Sequence, residues 1–158
     1  MSEESKSTAP LPLLRVAVIS DTHCYVPYEL LEQIKDADEI WHLGDVSSPK
    51  ALAQISQLGI PIEVVQGNTD PYGSYSERLT LTRHGTRFRL QHYPPTSLEP
   101  DCDVFLHGHL HRPSDDKSNI PRILSPGAIN GPRGGSASGF AWLSFFGEKS
   151  YSWNRVTL

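Results

Sequence analysis

The chain has 158 residues and a formal net charge of −4 at pH 7, with 37% hydrophobic and 20% charged residues. This length predicts one domain that buries roughly 68–70% of its unfolded surface and needs no disulfide bonds for its stability. The acidic balance argues against a strong grip on extended nucleic acid, because binding to the phosphate backbone relies on clustered Lys and Arg. No apolar run approaches the ~20 residues that cross a bilayer. We therefore expect no membrane association.

The two cysteines and the first residues indicate where the protein works. Cys24 and Cys102 form neither a CxxC pair nor a dense framework, and no basic segment followed by an apolar signal core is present. A reducing cytoplasm is the expected location. Residues 1–12 mix Ser, Glu, Lys and Pro without hydrophobic periodicity, which is typical of a disordered leader. The folded domain is accordingly predicted to span residues 13–158.

The first half of the chain predicts alternating strands and helices. The run RVAVIS at residues 15–20 is apolar and β-branched, as in a strand buried on both faces. The pattern continues with a helix at 27–35, a strand at 39–43, a helix at 49–58 and a strand at 62–66. This order favours right-handed crossovers and a largely parallel sheet. In such sheets ligands bind at the carboxyl ends of the strands.

The second half predicts strands and no helix. Segments 79–83 and 86–91 flank His84-Gly85 and predict a hairpin that ends at His92. Further strands are predicted at 103–107, 140–146 and 151–156, and segments rich in Gly, Pro and Ser predict site-lining loops at 94–100, 113–119 and 125–138. The fold class is therefore α/β, a single-domain sandwich of mixed sheets with helices on the outer faces.

Side chains that bind metal ions through oxygen or nitrogen follow most of the predicted strands. Asp45 can bridge two cations through its two carboxylate oxygens, while the other ligands share the remaining positions. Such a set suits two divalent ions about 3.5–4 Å apart. The two ions carry more positive charge than the carboxylates of Asp21 and Asp45 offset. A hydroxide and one phosphodiester would neutralise the remaining charge. The seven predicted ligands are Asp21, His23, Asp45, Asn68, His92, His109 and His111.

Each motif alone also has an ordinary structural explanation. Asp21 and His23 lie on one face if their strand stays extended, but such a pair also occurs as a turn carboxylate beside a surface histidine. Gly44-Asp45 fits a helix cap, and Gly67-Asn68 fits a tight turn. The last two histidines of HGHLH face one cleft if that segment is extended. A joint metal site is favoured because the acidic and amide motifs follow successive parallel strands and the histidine motifs follow later ones.

Together the motifs VISDTH, HLGD, QGNTD, QHY, HGHLH and SPGAINGPRGG resemble those of calcineurin-like metallophosphoesterases. The similarity is to the small bacterial and archaeal phosphodiesterase type, to which the retromer scaffold subunit is also related, and it spans about residues 14–157. It implies one ion held by Asp21, His23, Asp45 and His111 and a second held by Asp45, Asn68, His92 and His109. Of these, Asp45, Asn68 and His109 are expected to act in catalysis. Nitrogen and oxygen ligands favour Mn, Zn, Fe, Ni or Co over calcium, and the resemblance favours Mn.

The sequence departs from the family pattern at three positions. Tyr93 stands where the family usually has glycine, and Ser125 where it commonly has Asn. Thr69 replaces a histidine that in many members protonates the leaving oxygen. A threonine hydroxyl is too weak an acid for that role, which leaves Asp70 as the alternative acid. Arg133 keeps the family's basic residue and is a candidate for phosphate contact through its planar fork; a solvated loop arginine is the equal alternative.

These residues predict hydrolysis of a small phosphodiester, with a metal-bridging hydroxide attacking phosphorus in line. The alternative is a non-catalytic scaffold of the same fold, which the complete ligand set disfavours. A nuclease of the superfamily is disfavoured by the short, acidic chain. His42 and His107 are interpreted as core or supporting histidines, and His84 as a solvated hairpin tip. Homo-oligomerisation and the physiological substrate stay open.

Overall fold

The computed structural model describes residues 10–97, 101–118 and 120–158, so most of the predicted leader lies outside the described residues. Ten strands in this part of the chain form two five-stranded sheets. The elements are β1 (Leu14–Ile19), α1 (Tyr28–Ile34), β2 (Glu39–His42), α2 (Pro49–Ser56), β3 (Ile62–Val64), β4 (Arg78–Arg83), β5 (Thr86–Gln91), β6 (Val104–Leu106), β7 (Pro113–Asp116), β8 (Arg122–Pro126), β9 (Gly139–Gly147) and β10 (Ser150–Thr157).

The first sheet has the strand order β10-β9-β1-β2-β3. β1, β2 and β3 run parallel, whereas β9 and β10 join antiparallel on the other side of β1. Val16 and Val18 of β1 pack into the core between the sheets, and Ala17 and Ile19 pack into a second core on the opposite face. The predicted strand buried on both faces is thus confirmed.

Both helices cover the outer face of this first sheet. Leu30 and Ile34 of α1 and Ala51 and Ile55 of α2 are buried in the second core, four residues apart on one helical face in each case. α2 begins where the Ser48 hydroxyl accepts the Ala51 N–H, with a proline in its first turn. With seven and eight residues, these helices are too short to cross a bilayer, and the described residues contain no helix that could.

The second sheet has the order β4-β5-β6-β8-β7, with β5, β6 and β8 parallel and the two edge strands antiparallel. Its inner face packs on the first sheet through aromatic side chains. Phe88 of β5 meets Trp41 edge-on at 5.4 Å between ring centroids and Phe145 at 5.7 Å. Such edge-to-face pairs add to the stabilisation from area burial. The predicted α/β sandwich of mixed sheets is confirmed.

Two strands lie where the sequence predicts loops. β7 occupies most of the segment 113–119, and the end of β8 overlaps the segment 125–138. β7 reads PSDD, and as an edge strand it needs only the backbone bonds to β8, so it shows no apolar alternation. Within β7, Asp115 accepts two hydrogen bonds from Arg122 of β8, at 2.9 and 2.7 Å.

Candidate metal centre

The predicted ligands lie in one cluster formed by both sheets. They leave the carboxyl ends of parallel strands, where loops from the two layers meet. Because the two sheets face each other, these loops converge although they are far apart in the sequence. Asp21 and His23 follow β1, Asp45 follows β2, Asn68 follows β3, His92 follows β5, and His109 and His111 follow β6.

One group of ligand atoms contains Asp21, His23, Asp45 and His111, all within 4.8 Å of one another. The Nε2 atoms of His23 and His111 are 3.2 Å apart, and Oδ1 of Asp21 lies 3.6 Å from the first and 3.3 Å from the second. Oδ2 of Asp45 completes the group at 3.5 Å from His23 Nε2. Two carboxylate oxygens and two imidazole nitrogens suit a divalent transition metal.

A second group contains Asp45, His92 and His109, again within 4.8 Å of one another. Oδ2 of Asp45 is 3.2 Å from His92 Nε2, which is 3.2 Å from His109 Nδ1. The Asn68 amide oxygen joins these atoms at 2.9 Å from His92 and 3.2 Å from His109. The structure therefore brings together all seven side chains that the sequence predicts.

Asp45 connects the groups through one oxygen rather than two. Its Oδ2 faces both His23 and His92, whereas its Oδ1 accepts the backbone N–H of Thr69 at 2.9 Å. The geometry differs from the predicted bridge through both carboxylate oxygens, because one of them is committed to the loop after Asn68. A single oxygen between the groups remains compatible with two ions, since it has a lone pair for each.

Asp21 carries an unusual buried atom. Its Oδ2 accepts hydrogen bonds from the Ser20 hydroxyl at 2.7 Å and the His109 backbone N–H at 3.2 Å. Its Oδ1 is buried and has no hydrogen-bond partner among the described residues. A buried carboxylate oxygen without a donor is costly. A divalent cation at this position would satisfy Oδ1, so the residues fit the metal that the donor set implies.

Two of the imidazoles are oriented by backbone carbonyls. His92 Nδ1 lies 2.8 Å from the Leu43 carbonyl, and His111 Nδ1 lies 2.8 Å from the Gly131 carbonyl. A carbonyl only accepts, so Nδ1 donates in both rings and Nε2 faces the cluster. This arrangement is the usual support for metal-binding histidines.

Burial, hydrogen bonds and neighbouring charges shift the pKa values of the second group. Burial opposes ionisation of Asp45, but hydrogen bonds from His92 and the Thr69 backbone outweigh it and lower the Asp45 pKa. Burial likewise opposes protonation of His92, but its bond to Asp45 and the charge of Asp21 raise the His92 pKa. His109 has a lowered pKa, first from burial and then from nearby His92. Since a metal ion binds the deprotonated imidazole, metal binding here would depend on pH.

The loops reach these positions through left-handed backbone. Five ligand residues that are not glycine have positive φ values, which non-glycine residues adopt rarely and mostly at functional sites. The expectation of extended segments after β1 and β6 is therefore wrong, although both pairs do face the cleft. The φ values are 56° for Asp21, 45° for His23, 61° for Asp45, 72° for His109 and 59° for His111.

Two glycines allow the loops to touch. A side chain at Gly67 would collide with the backbone N and Oδ1 of Asp45, and one at Gly108 would collide with the Ser20 hydroxyl and Asp21. The loop after β3 thus rests on the loop after β2, and the loop after β6 rests on the end of β1.

Asp70 holds the same loops from behind. Its Oδ2 accepts the N–H groups of Asp45 and Gly67, both at 2.9 Å, and its Oδ1 accepts the N–H of Ser47 at 2.7 Å. The side chain is 7% exposed. Asp70 therefore positions Asp45, a role that the sequence analysis did not assign. The signal was present in the QGNTD motif, in which a carboxylate follows a tight turn.

The three unassigned histidines lie outside both ligand groups. Burial lowers the pKa of His42 to about 4, so the ring is neutral; its Nδ1 accepts the Gly44 N–H at 3.1 Å and its Nε2 donates to Thr22. Burial also lowers the His107 pKa, and its Nδ1 donates to the Gly108 carbonyl. These two support the ligand loops as expected. His84 differs from its prediction, because it is half-buried with its ring 5.6 Å from Phe145.

Arg133 lies in the loop beside the first ligand group. Its backbone N–H donates to the His111 carbonyl at 2.7 Å, while its side chain is exposed. The Arg133 backbone is thus adjacent to a ligand residue, and contact of its guanidinium with a phosphate stays a prediction. On the other side, a cleft of about 640 Å³ opens next to Asn68 and His92.

Comparisons with known proteins identify the family of the chain. Residues 14–145 match the family model of the calcineurin-like phosphoesterase superfamily domain. A probable metallophosphoesterase of Methanothermobacter thermautotrophicus is 32% identical over 136 residues, which cover 75% of this chain and 78% of the relative.

Two solved structures are similar in fold. A novel archaeal phosphodiesterase has a TM-score of 0.78 at 19% identity, covering 92% of this chain and 100% of that chain. Vps29 of Entamoeba histolytica in complex with zinc has a TM-score of 0.73 at 18% identity, covering 90% and 98%. At these identities the likeness concerns the fold alone.

Proposed function

Because the chain belongs to the calcineurin-like phosphoesterase superfamily, we propose that it is a phosphodiesterase that works with two divalent metal ions. Membership of the superfamily supports hydrolysis of phosphate esters, and the proposal adds the diester preference and the number of ions. The observation that carries it is Oδ2 of Asp45, which lies 3.5 Å from His23 Nε2 and 3.2 Å from His92 Nε2. One carboxylate oxygen that faces two ligand groups suits a dinuclear site.

The two groups divide the proposed ions between them. One ion is held by Asp21, His23, Asp45 and His111, and the other by Asp45, Asn68, His92 and His109. When bound, two such ions lower the pKa of a shared water and offset the charge that develops on the phosphate. Manganese is the proposed metal, with zinc, iron, nickel or cobalt as alternatives for nitrogen and oxygen ligands; the similar Vps29 structure contains zinc.

The protein's own side chains fix where the ester binds. Asp21, Asp45 and His92 are buried and form the floor, whereas Asn68 is exposed and His23 and His109 are partly exposed. A phosphate therefore approaches from the side of these three residues. Asn68 and His109 are the proposed groups that touch both the site and the phosphate, and the exposed Arg133 is the proposed contact for a non-bridging oxygen.

Thr69 and Asp70, the two residues that follow Asn68, supply no available acid for the leaving group. The Thr69 hydroxyl lies 2.7 Å from the Ser47 hydroxyl, and both Asp70 oxygens accept backbone N–H groups. Protonation of the departing oxygen by a side chain here would therefore depend on a hydroxyl that ionises far above neutral pH. The proposed enzyme accordingly favours esters whose leaving group departs as an anion.

A binding module of the same fold is the second candidate. The likeness to Vps29, at a TM-score of 0.73, favours it. Seven converging ligand side chains and the unpartnered Asp21 Oδ1 favour a working metal site instead. The two candidates differ in whether metal binding is accompanied by turnover.

The test is an activity screen of the full chain with added Mn²⁺ against aryl diesters and cyclic nucleotides, together with metal analysis. We expect hydrolysis of bis(p-nitrophenyl) phosphate and about two bound ions per chain. Two bound ions without hydrolysis of any diester would favour the binding module, and fewer than two ions at full activity would contradict the dinuclear site.

A further inference from the structure

A cleft beside the second ligand group is larger than a phosphate needs. It encloses about 640 Å³ and is lined at one end by Gly67, Asn68 and His92. This volume falls in the range of small-molecule sites, about 300–1,000 Å³. Since Asn68 and His92 are shared by the cleft and the ligand group, a phosphate at the metals places its substituent in the cleft.

Two exposed tyrosines from different loops line this cleft. Tyr72, in the loop after β3, is 100% exposed, and Tyr93, in the loop after β5, is 49% exposed. The Tyr93 ring packs 4.7 Å from the His109 ring and 5.4 Å from the His92 ring. Ligand histidines thus hold Tyr93 in place beneath the cleft, while its other surface stays in water. Burying two aromatic rings against a flat ligand is favourable, and rings stack well with heteroaromatic bases.

The remaining lining is polar. Arg78 and Glu77 bring a cation and a carboxylate to the cleft. Gln66 contributes a fixed wall, because its amide donates to the Gly67 and Asp70 carbonyls and accepts the Tyr75 N–H. Aromatic faces with charged and hydrogen-bonding groups around them suit a ring that has polar edges better than they suit a hydrocarbon chain.

We propose that this cleft binds the base of a nucleotide ester, stacked against Tyr93 and Tyr72, while the phosphate lies at the metal site. The substrate class is thereby a nucleoside-containing phosphodiester. The inference rests on the proposed function for the phosphate position, and on the cleft itself for the base. Tyr93 stands where the family usually has glycine, and in this proposal it determines substrate specificity.

The test compares two probes that differ only in the base. Calorimetry gives the Kd of adenosine 5′-monophosphate and of ribose 5-phosphate for the Mn-loaded full chain. The nucleotide is expected to bind about tenfold or more tightly, as stacking on an aromatic side chain contributes on that order. In Tyr93→Leu and in Tyr72→Leu this ratio should fall toward one. Tyr28→Leu, at an exposed tyrosine of α1 outside the cleft, should keep it.

Equal Kd values for the two probes in the wild type, or no binding of the nucleotide, would overturn the proposal, as would an unchanged ratio in both cleft variants. The Tyr93 ring contacts two ligand histidines, so Tyr93→Leu could also lose metal. In that case Tyr72→Leu decides the test, because no ring contact with a ligand histidine is described for Tyr72. Hydrolysis of bis(p-nitrophenyl) phosphate is measured on the same samples. Absent hydrolysis with a retained base preference would reject the proposed function and keep the cleft assignment.

Discussion

The carboxylates at this site have two roles, positioning loops and presenting oxygens to the ligand cluster. The hydrogen bonds that each carboxylate accepts show which role it has. Asp70 gives both of its oxygens to three backbone N–H groups, so it shapes the loops. Asp45 gives one oxygen to the Thr69 N–H and presents the other to the imidazoles, and Asp21 keeps one oxygen unpartnered. The carboxylate oxygens that face the imidazoles, Oδ2 of Asp45 and Oδ1 of Asp21, are the ones that a cation would contact.

Asp45→Asn should remove most of the bound metal and lower kcat/KM for an aryl diester more than about a hundredfold, because changes even to supporting residues cost 10–100-fold. The fold should persist, since Asp45 lies at the sheet edge. Metal analysis and kinetics of the purified variant check this. Asp36→Asn, at an exposed position in the turn after α1, serves as the control; two full equivalents of metal in Asp45→Asn would contradict the shared-oxygen assignment.

Asp70→Asn should weaken metal binding about 10–100-fold, because an amide nitrogen would face the N–H groups that the carboxylate now accepts. Saturating metal should restore kcat and leave the preference for aryl leaving groups unchanged. Metal titrations followed by activity measure both. If the wild type cleaves alkyl esters efficiently and a fully metallated Asp70→Asn does not, Asp70 is the leaving-group acid. Positioning of Asp45 would then not explain the effect of the substitution.

Thr69 sets the expected leaving-group dependence. The wild type should cleave bis(p-nitrophenyl) phosphate far better than an alkyl monoester, since the Thr69 hydroxyl is too weak an acid to protonate a departing alkoxide. Thr69→His should improve the poorer substrate selectively, by up to the 10²–10⁴-fold that general acid assistance typically supplies. The measurement is kcat/KM on both esters with metal content matched. Thr69→Ser is the control, and equal rates for both esters in the wild type would be inconsistent with this account.

At the scale of elements, the sequence predicts those that bury a regular apolar pattern. β1 and α2 were predictable to within one or two residues, because β1 is a β-branched, apolar run and Ala51 and Ile55 lie four residues apart on the buried face of α2. β7 was not, because an exposed edge strand needs no such pattern. The ligand set was predictable from its order along the chain. The left-handed backbone that aims each ligand was not, because tertiary packing imposes it on residue types that rarely adopt it alone.

One ion pair joins the two sheets and makes stability depend on pH. Arg83 of β4 donates two hydrogen bonds to Glu39 of β2, at 2.8 and 2.7 Å, and lowers the Glu39 pKa. Glu39→Gln should lower the free energy of unfolding by about 1 kcal/mol near neutral pH. Since the folded pKa lies below the unfolded one, the wild type has this stability above the ordinary Glu range, near pH 4, and loses it as the pH falls through the folded value.

Urea unfolding of wild type and Glu39→Gln at a series of pH values checks this, and the two curves should converge in acid. A double-mutant cycle with Arg83→Met isolates the pair from other effects. A difference that stays constant down to acid pH would mean that Glu39 acts through packing and not through its charge.

At the scale of the whole molecule, the proposed metal site connects the two sheets. Asp21, His23, Asp45 and Asn68 come from the first sheet, and His92, His109 and His111 from the second. An ion held by both sheets binds the folded state alone, so its affinity adds to folding stability.

Chelation should therefore lower the Tm of the Mn-loaded protein by roughly 5–10 °C, which corresponds to free metal near a hundred times its Kd and a chain of this size. Thermal scans with and without EDTA measure the shift. Asp45→Asn, already depleted of metal, should respond little to the chelator. A wild type that is equally insensitive would show that the ions bind without holding the layers together.

The position of β1 also determines when the first sheet can be completed during synthesis. This central strand pairs with β2 on one side and β9 on the other, so that Leu14 lies opposite Phe145. A nascent chain that has left the ribosome only as far as β8 holds every ligand residue, yet one edge of β1 lacks its neighbour. Such late, long-range closure slows folding and leaves apolar strands uncovered in the meantime. We therefore expect one edge of β1 to stay uncovered in a growing chain until the hairpin of β9 and β10 emerges.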